Sequence, residues 1–194
     1  MTINVPFPFK RVILRGMKIN VVLFQPEIPQ NTGKISRTCS ATGSALHLVH
    51  PLGFSLDERH LRRAGLDYWR GLEIHEYQDN SAFFEEHGNE RIWYFSQKGK
   101  TGFWEADVLY DEPENDKEKS VWLAFGCESR GLDEKLLLKN ASTCARIPML
   151  EGKRSLNLSN TVAVAVYEVL RRLNFAGLRT TGELSCRDWS EADA

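Results

Sequence analysis

The sequence predicts an α/β domain built on a mainly parallel β-sheet with helices on both faces. Three observations lead there. Strand-type runs alternate with helix-type segments along most of the chain. The first run, Lys18–Phe24 (KINVVLF), is a near-continuous apolar stretch of the kind needed by a strand covered on both sides. With 194 residues, 42% of them hydrophobic, the chain is long enough for one domain with a sizeable core.

Residues 1–16 (MTINVPFPFKRVILRG) hold two prolines and three basic residues without a period, and read as an N-terminal extension. The domain then runs over residues 17–175. Its first strand stops at Gln25-Pro26, and a helix follows from the PQNTG segment, with Ile35 and Cys39 four apart and Gly43 as its C-terminal cap. Further strands are expected at Ala45–Val49, Leu72–His75, Arg91–Phe95, Val121–Phe125 and Ala145–Met149. Between them, Ser55-Leu-Asp-Glu58 is a capping box before RHLRRAG, Ser81–His87 is a short amphipathic helix, and Asp133 caps EKLLLKN. Asp111–Lys119 (DEPENDKEK) is an acidic loop. Thr161–Leu173 alternates Val and Ala like a strand, but thirteen residues without a breaker, ending near Arg171-Arg172, favour a helix. Residues 176–194 form a polar tail without a period.

Composition excludes several classes of function. The 25 basic and 26 acidic side chains leave a net charge of -1, so nucleic-acid binding would rest on a local patch. Residues 1–80 carry the basic excess, and Arg59, Arg62, Arg63 and Arg70 are its densest part. No run of apolar residues is long enough to span a membrane. Four scattered cysteines without a C-x-x-C pair or a signal pattern point to a reducing cytoplasm. His47 and His50, three apart at a strand end, point to opposite faces and do not make a metal site. Gly99-Lys100-Thr101 lacks the earlier glycine of a phosphate-binding loop, and neither G-x-G-x-x-G nor G-x-S-x-G occurs.

Three polar clusters lie where strands give way to loops, the places where open parallel sheets build sites. In PQNTGKISR, Asn31, Thr32 and Gly33 open a helix whose unpaired N–H groups suit an anion, followed by Lys34 and Arg37. In FGCESRGL, Gly126 and Gly131 bracket Glu128 and Arg130 at the end of an apolar strand. In KRSLNLSN, two cations precede Ser155, Asn157, Ser159 and Asn160, more polar groups than one helix cap uses.

The three clusters, in this order, resemble the SPOUT superfamily of methyltransferases, and more closely its TrmL (YibK) type, the tRNA (cytidine/uridine-2′-O-)-methyltransferases. The resemblance extends from about Met17 to about Phe175 and includes HPLGF, LRRAGLDYW and IPMLEGKRSLNLSNTVAVAVYE. It implies a C-terminal trefoil knot, S-adenosylmethionine as cofactor, a homodimer whose two subunits complete the site, and tRNA engaged at its anticodon stem-loop. It further implies cofactor contacts at Phe95, Gly126, Ile147 and Ser155, and catalytic or RNA-facing roles for Asn31, Arg37, Glu128, Ser155 and Asn157. Lys34, Cys127 and Ser129 depart from the usual asparagine, proline and threonine, which bears on substrate preference. A sulfonium donor is already activated, so no metal is expected, and the residues have to align a ribose hydroxyl and remove its proton. Arg37 suits phosphate binding rather than proton removal, because a guanidinium stays protonated. Two alternatives are an RNA-binding protein of this fold without catalysis, and a 2′-O-methyltransferase for another RNA site.

Overall fold

Alternation of side chains along the central strands fixes the layers of the molecule. In Met17–Phe24, Ile19, Val21 and Leu23 enter one apolar cluster while Val22 and Phe24 enter another, so both faces of this strand are covered. Val121, Leu123 and Phe125 repeat the pattern against Trp122 and Ala124. The computed structural model describes residues 17–55, 71–109, 119–187, 189 and 192. Residues 1–16, the helix expected after Ser55, the four arginines Arg59, Arg62, Arg63 and Arg70, and all of the expected acidic loop except Lys119 lie outside the described residues.

In chain order the elements are β1 (Met17–Phe24), α1 (Pro29–Thr42), β2 (Ala45–Val49), β3 (Ile74–Tyr77), α2 (Asn80–His87), β4 (Ile92–Phe95), β5 (Thr101–Gly102), β6 (Lys119–Phe125), α3 (Glu134–Lys139), β7 (Cys144–Arg146) and α4 (Leu158–Arg172). The described strands form one seven-stranded sheet in the order β3-β2-β1-β6-β4-β7-β5, with every pair parallel. Val21 pairs with Leu46 on one side and Leu123 on the other, and Phe95 pairs with Phe125. Ile35 and Cys39 of α1 and Val162, Ala165, Val166 and Val169 of α4 cover one face, where the two helices pack together. Phe83 of α2 and Leu137 of α3 cover the other. The expected α/β architecture with helices on both faces is therefore present.

Several element boundaries differ from the sequence reading. The strand expected at Leu72–His75 is Ile74–Tyr77, because its register is set across the sheet, where Val49 pairs with Tyr77. The strand expected at Ala145–Met149 ends at Arg146, since its outer partner β5 is only two residues long and Pro148 has no N–H to donate. β5 itself was not expected, and Lys119 begins β6 instead of ending the acidic loop. α4 starts at Leu158, earlier than the expected Thr161, because Asn157 caps it by accepting the Ser159 N–H at 3.0 Å. Asp133 caps α3 as expected, accepting from the N–H groups of Lys135 and Leu136. Gly43 closes α1 in the left-handed region at φ 70°.

Candidate functional site

Parallel strands deliver their carboxyl ends to one edge of the sheet, and there β4, β6 and β7 open into a cleft of about 530 Å³. The N-terminus of α1 and the loop entering α4 complete its walls. Phe95, Gly126, Ile147 and Ser155 all line it, as do Asn31, Glu128 and Asn157. Seven of the eight residues singled out from the sequence thus meet in one place, from four segments far apart in the chain. Arg37 is the exception. It follows Asn31 by six residues, roughly 240° around α1, and is exposed away from the cleft lining of its own chain.

A hydrogen-bond network joins the three polar clusters. Glu128 accepts the backbone N–H of Glu27 at 2.8 Å and of Ile28 at 3.3 Å, and the Asn31 side-chain amide at 2.8 Å. Asn31 in turn accepts from the Asn157 amide at 3.0 Å, and Asn157 accepts from both the N–H and the hydroxyl of Ser159. These bonds orient both asparagine amides and tie the loop after β6 to the starts of α1 and α4. They also correct the reading of the first cluster. The helix begins at Pro29, with Asn31–Gly33 already inside it, and the anion at its N-terminus is the protein's own Glu128 carboxylate.

Sequence reasoning missed the companion of this contact. Glu27 accepts the hydroxyl of Ser129 at 2.7 Å and its N–H at 3.0 Å, so two loops exchange carboxylate bonds. These two bonds from Ser129 hold the Glu27 carboxyl below its ordinary pKa. No short-range spacing signals a clasp between residues 102 apart in the chain. Gly126 is fixed by close approach of the chain itself, because a Cβ there would lie 2.1 Å from the Gly131 carbonyl carbon and 2.3 Å from the Leu132 nitrogen. Gly131 closes the turn at φ 70°, its N–H donating to the Cys127 carbonyl at 2.9 Å. Cys127 is buried in this turn, beside Ser129.

His47, His75 and His87 gather elsewhere, in a smaller recess of about 260 Å³ near the start of β1 and β6. His47 Nε2 lies 3.2 Å from the Asn20 side-chain oxygen, and its Nδ1 lies 2.8 Å from the Tyr77 hydroxyl, which is 2.9 Å from His87 Nε2. Because Asn20 offers an acceptor, His47 donates through Nε2, Tyr77 donates to His47 Nδ1, and His87 donates to Tyr77. Burial, reinforced by His75, His87 and Lys18, lowers the His47 pKa to about 2. Burial likewise lowers His87. His50 bonds to Glu76 at 3.2 Å. Among the described residues, no group of three or more His, Cys, Asp or Glu side chains is arranged to hold a metal ion, and no helix is long and apolar enough to cross a membrane.

Known proteins resemble this chain in sequence and in fold. The model of the SpoU rRNA Methylase family matches residues 18–167. A tRNA (cytidine(34)-2'-O)-methyltransferase of Saccharophagus degradans is 47% identical over 161 residues, covering 81% of this chain and 97% of that one. The tRNA (cytidine(34)-2'-O)-methyltransferase of Escherichia coli is 41% identical over 160 residues, covering 82% and 96%. A solved structure described as "Structural insights into the 2-OH methylation of C/U34 on tRNA" superposes with a TM-score of 0.70 at 41% identity, covering 82% of this chain and 97% of that one. With the family model matching residues 18–167 and relatives aligned over nearly their full length, this chain belongs to the SpoU rRNA Methylase family.

Proposed function

We propose that this protein transfers a methyl group from S-adenosylmethionine to the ribose 2′-hydroxyl of the wobble nucleotide, cytidine or uridine, in tRNA. The reading is carried by the meeting of Phe95, Gly126, Ile147, Ser155, Asn31, Glu128 and Asn157 in one strand-end cleft. Relatives 47% and 41% identical, whose names state that activity at cytidine 34, support it further.

The cleft suits the cofactor. Its volume of about 530 Å³ lies within the usual range for small-molecule sites, Phe95 and Ile147 offer apolar wall, and Ser155 and the loop backbones offer polar partners. Bound S-adenosylmethionine supplies a methyl group already activated on a sulfonium. The work of the protein is then to align the ribose hydroxyl and take up its proton. Glu128, Asn31 and Asn157 hold the cleft loops in register through their mutual bonds. Arg37 binds a phosphate of the RNA.

The same reading includes a homodimer. Val164 and Tyr167 on the outer face of α4 are 47% and 48% exposed, an apolar surface suited to a second copy that completes the site. It also includes a C-terminal trefoil knot over the cofactor cleft. In its support, β7 follows β4 and β5 in the chain yet lies between them in the sheet, and the loop entering α4 then lines the cleft. The domain spans residues 17–175 between the extension and the polar tail, and acts on the anticodon stem-loop in the cytoplasm.

The test is transfer from labelled S-adenosylmethionine to a tRNA transcript, followed by alkaline hydrolysis. A 2′-O-methyl group blocks cleavage at its own nucleotide, so the label should appear in an alkali-resistant dinucleotide. Cofactor binding without transfer to any RNA would overturn catalysis in favour of an RNA-binding role.

A further inference from the structure

Among the described residues, three basic side chains line the cleft, and they differ in what engages them. Lys98 is bonded to Glu134. Arg130 and Arg154 are exposed at the cleft, and neither guanidinium makes a hydrogen bond or ion pair with a described residue. The carboxylate that lines the cleft, Glu128, is occupied by the Glu27 and Ile28 N–H groups and by Asn31. Arg130 is felt by Glu27 only through space.

Hydrogen bonds nevertheless flank both arginines along the chain. Arg130 sits between Ser129, bonded to Glu27 through both its N–H and its hydroxyl, and Gly131, bonded to Cys127 in the left-handed region. Arg154 lies between a turn at Gly152, where Lys153 donates to the Leu150 carbonyl at 3.2 Å, and the cap Asn157, which is bonded to Asn31. Each loop is thus bonded on both sides of its arginine, while the guanidinium it presents has no partner among the described residues. A planar guanidinium matches phosphate oxygens two at a time.

The methyl donor does not answer this charge. Its sulfonium and ammonium outnumber its carboxylate, so its approach adds a net positive charge beside two cations. A polyanion relieves both. From this, and resting on the function proposed above, we infer that Arg130 and Arg154 are a pair of positioning residues that bind RNA phosphates at the cleft, one on the loop after β6 and one on the loop after β7.

The test uses the full-length protein, a tRNA transcript, and the variants Arg130→Ala, Arg154→Ala and the corresponding Arg→Lys changes. Steady-state transfer is measured across a salt series, and S-adenosylmethionine affinity by calorimetry. Each alanine variant should raise KM for tRNA about tenfold, with kcat changed less, and make the dependence of log kcat/KM on log salt shallower by about 0.7–0.9. Lysine should restore the salt slope but only part of the KM, since it keeps the charge and loses the fork. Cofactor affinity should stay within about twofold of wild type. An unchanged salt slope in both alanine variants overturns the pair. So does loss of cofactor affinity with an unchanged tRNA KM, which would assign the arginines to the donor's carboxylate. Wild-type protein that binds cofactor and methylates no tRNA overturns the functional reading and the pair with it, whereas active wild type with unaffected variants overturns the pair alone.

Discussion

Replacing His47 with glutamine should change how the protein's stability depends on pH. His47 is 2% exposed, and the charged groups around it come from every neighbouring element: Lys18 on β1, His75 on β3, His87 and Glu86 on α2, and Glu73 just before β3. Its pKa falls from 6.5 to about 2, chiefly through burial and then through His75, His87 and Lys18. A histidine depressed on folding binds its proton in the unfolded chain first. Its contribution to stability is therefore complete above the unfolded value and is lost as pH falls below it. Between about pH 7.5 and about pH 5.0 the loss from this one residue is roughly 2 kcal/mol, set by the unfolded pKa as long as the folded one lies well below pH 5. Glu73 is held down to about 2 by His75 and Lys18, and its contribution is lost only below its ordinary value of 4.5, outside that window. Urea unfolding at the two pH values, at one protomer concentration, measures the difference. Wild type should lose roughly 2 kcal/mol more than His47→Gln on acidification. Equal losses would show that His47 carries a proton in the folded protein at pH 5, and would refute the directed chain through Tyr77.

Other changes separate support from chemistry. Gly126→Ala forces a Cβ against the backbone at Gly131 and Leu132, and should cost about 2–3 kcal/mol in urea unfolding and abolish cofactor binding by calorimetry. Asn31→Ala strands Glu128 and Asn157, and should cost about 1–3 kcal/mol by the same unfolding assay, with a matching loss of cofactor affinity as the loops loosen. Arg37→Ala should lower single-turnover methyl transfer by orders of magnitude and leave cofactor affinity unchanged, because the residue lies off the cofactor cleft of its own chain.

The sheet and most of its helices were legible because the strands are apolar runs and the helix ends carry readable caps, as at Asp133 and Gly43. β5 escaped because two residues show no period, and the shift of β3 escaped because register belongs to the partner strand. Within the site, residue identities pointed to loops that meet in one cleft, but not to how those loops are held. That Glu128 serves the N-terminus of α1 could not be read from a local pattern, because the bonded groups stand about a hundred residues apart. Arg37 shows the converse limit. Its six-residue spacing from Asn31 turns it to another side of α1, so nearness in sequence did not mean a shared cleft.

A single hydroxyl group decides the proposed reaction. Two tRNAs assembled from synthetic halves, one with ribose and one with 2′-deoxyribose at the wobble nucleotide and otherwise identical, offer the most direct measurement. With labelled S-adenosylmethionine and the purified protein, the first should take up one methyl per molecule and the second none, although both should bind with similar affinity. Equal labelling of the two would place the methyl on another atom and contradict the account.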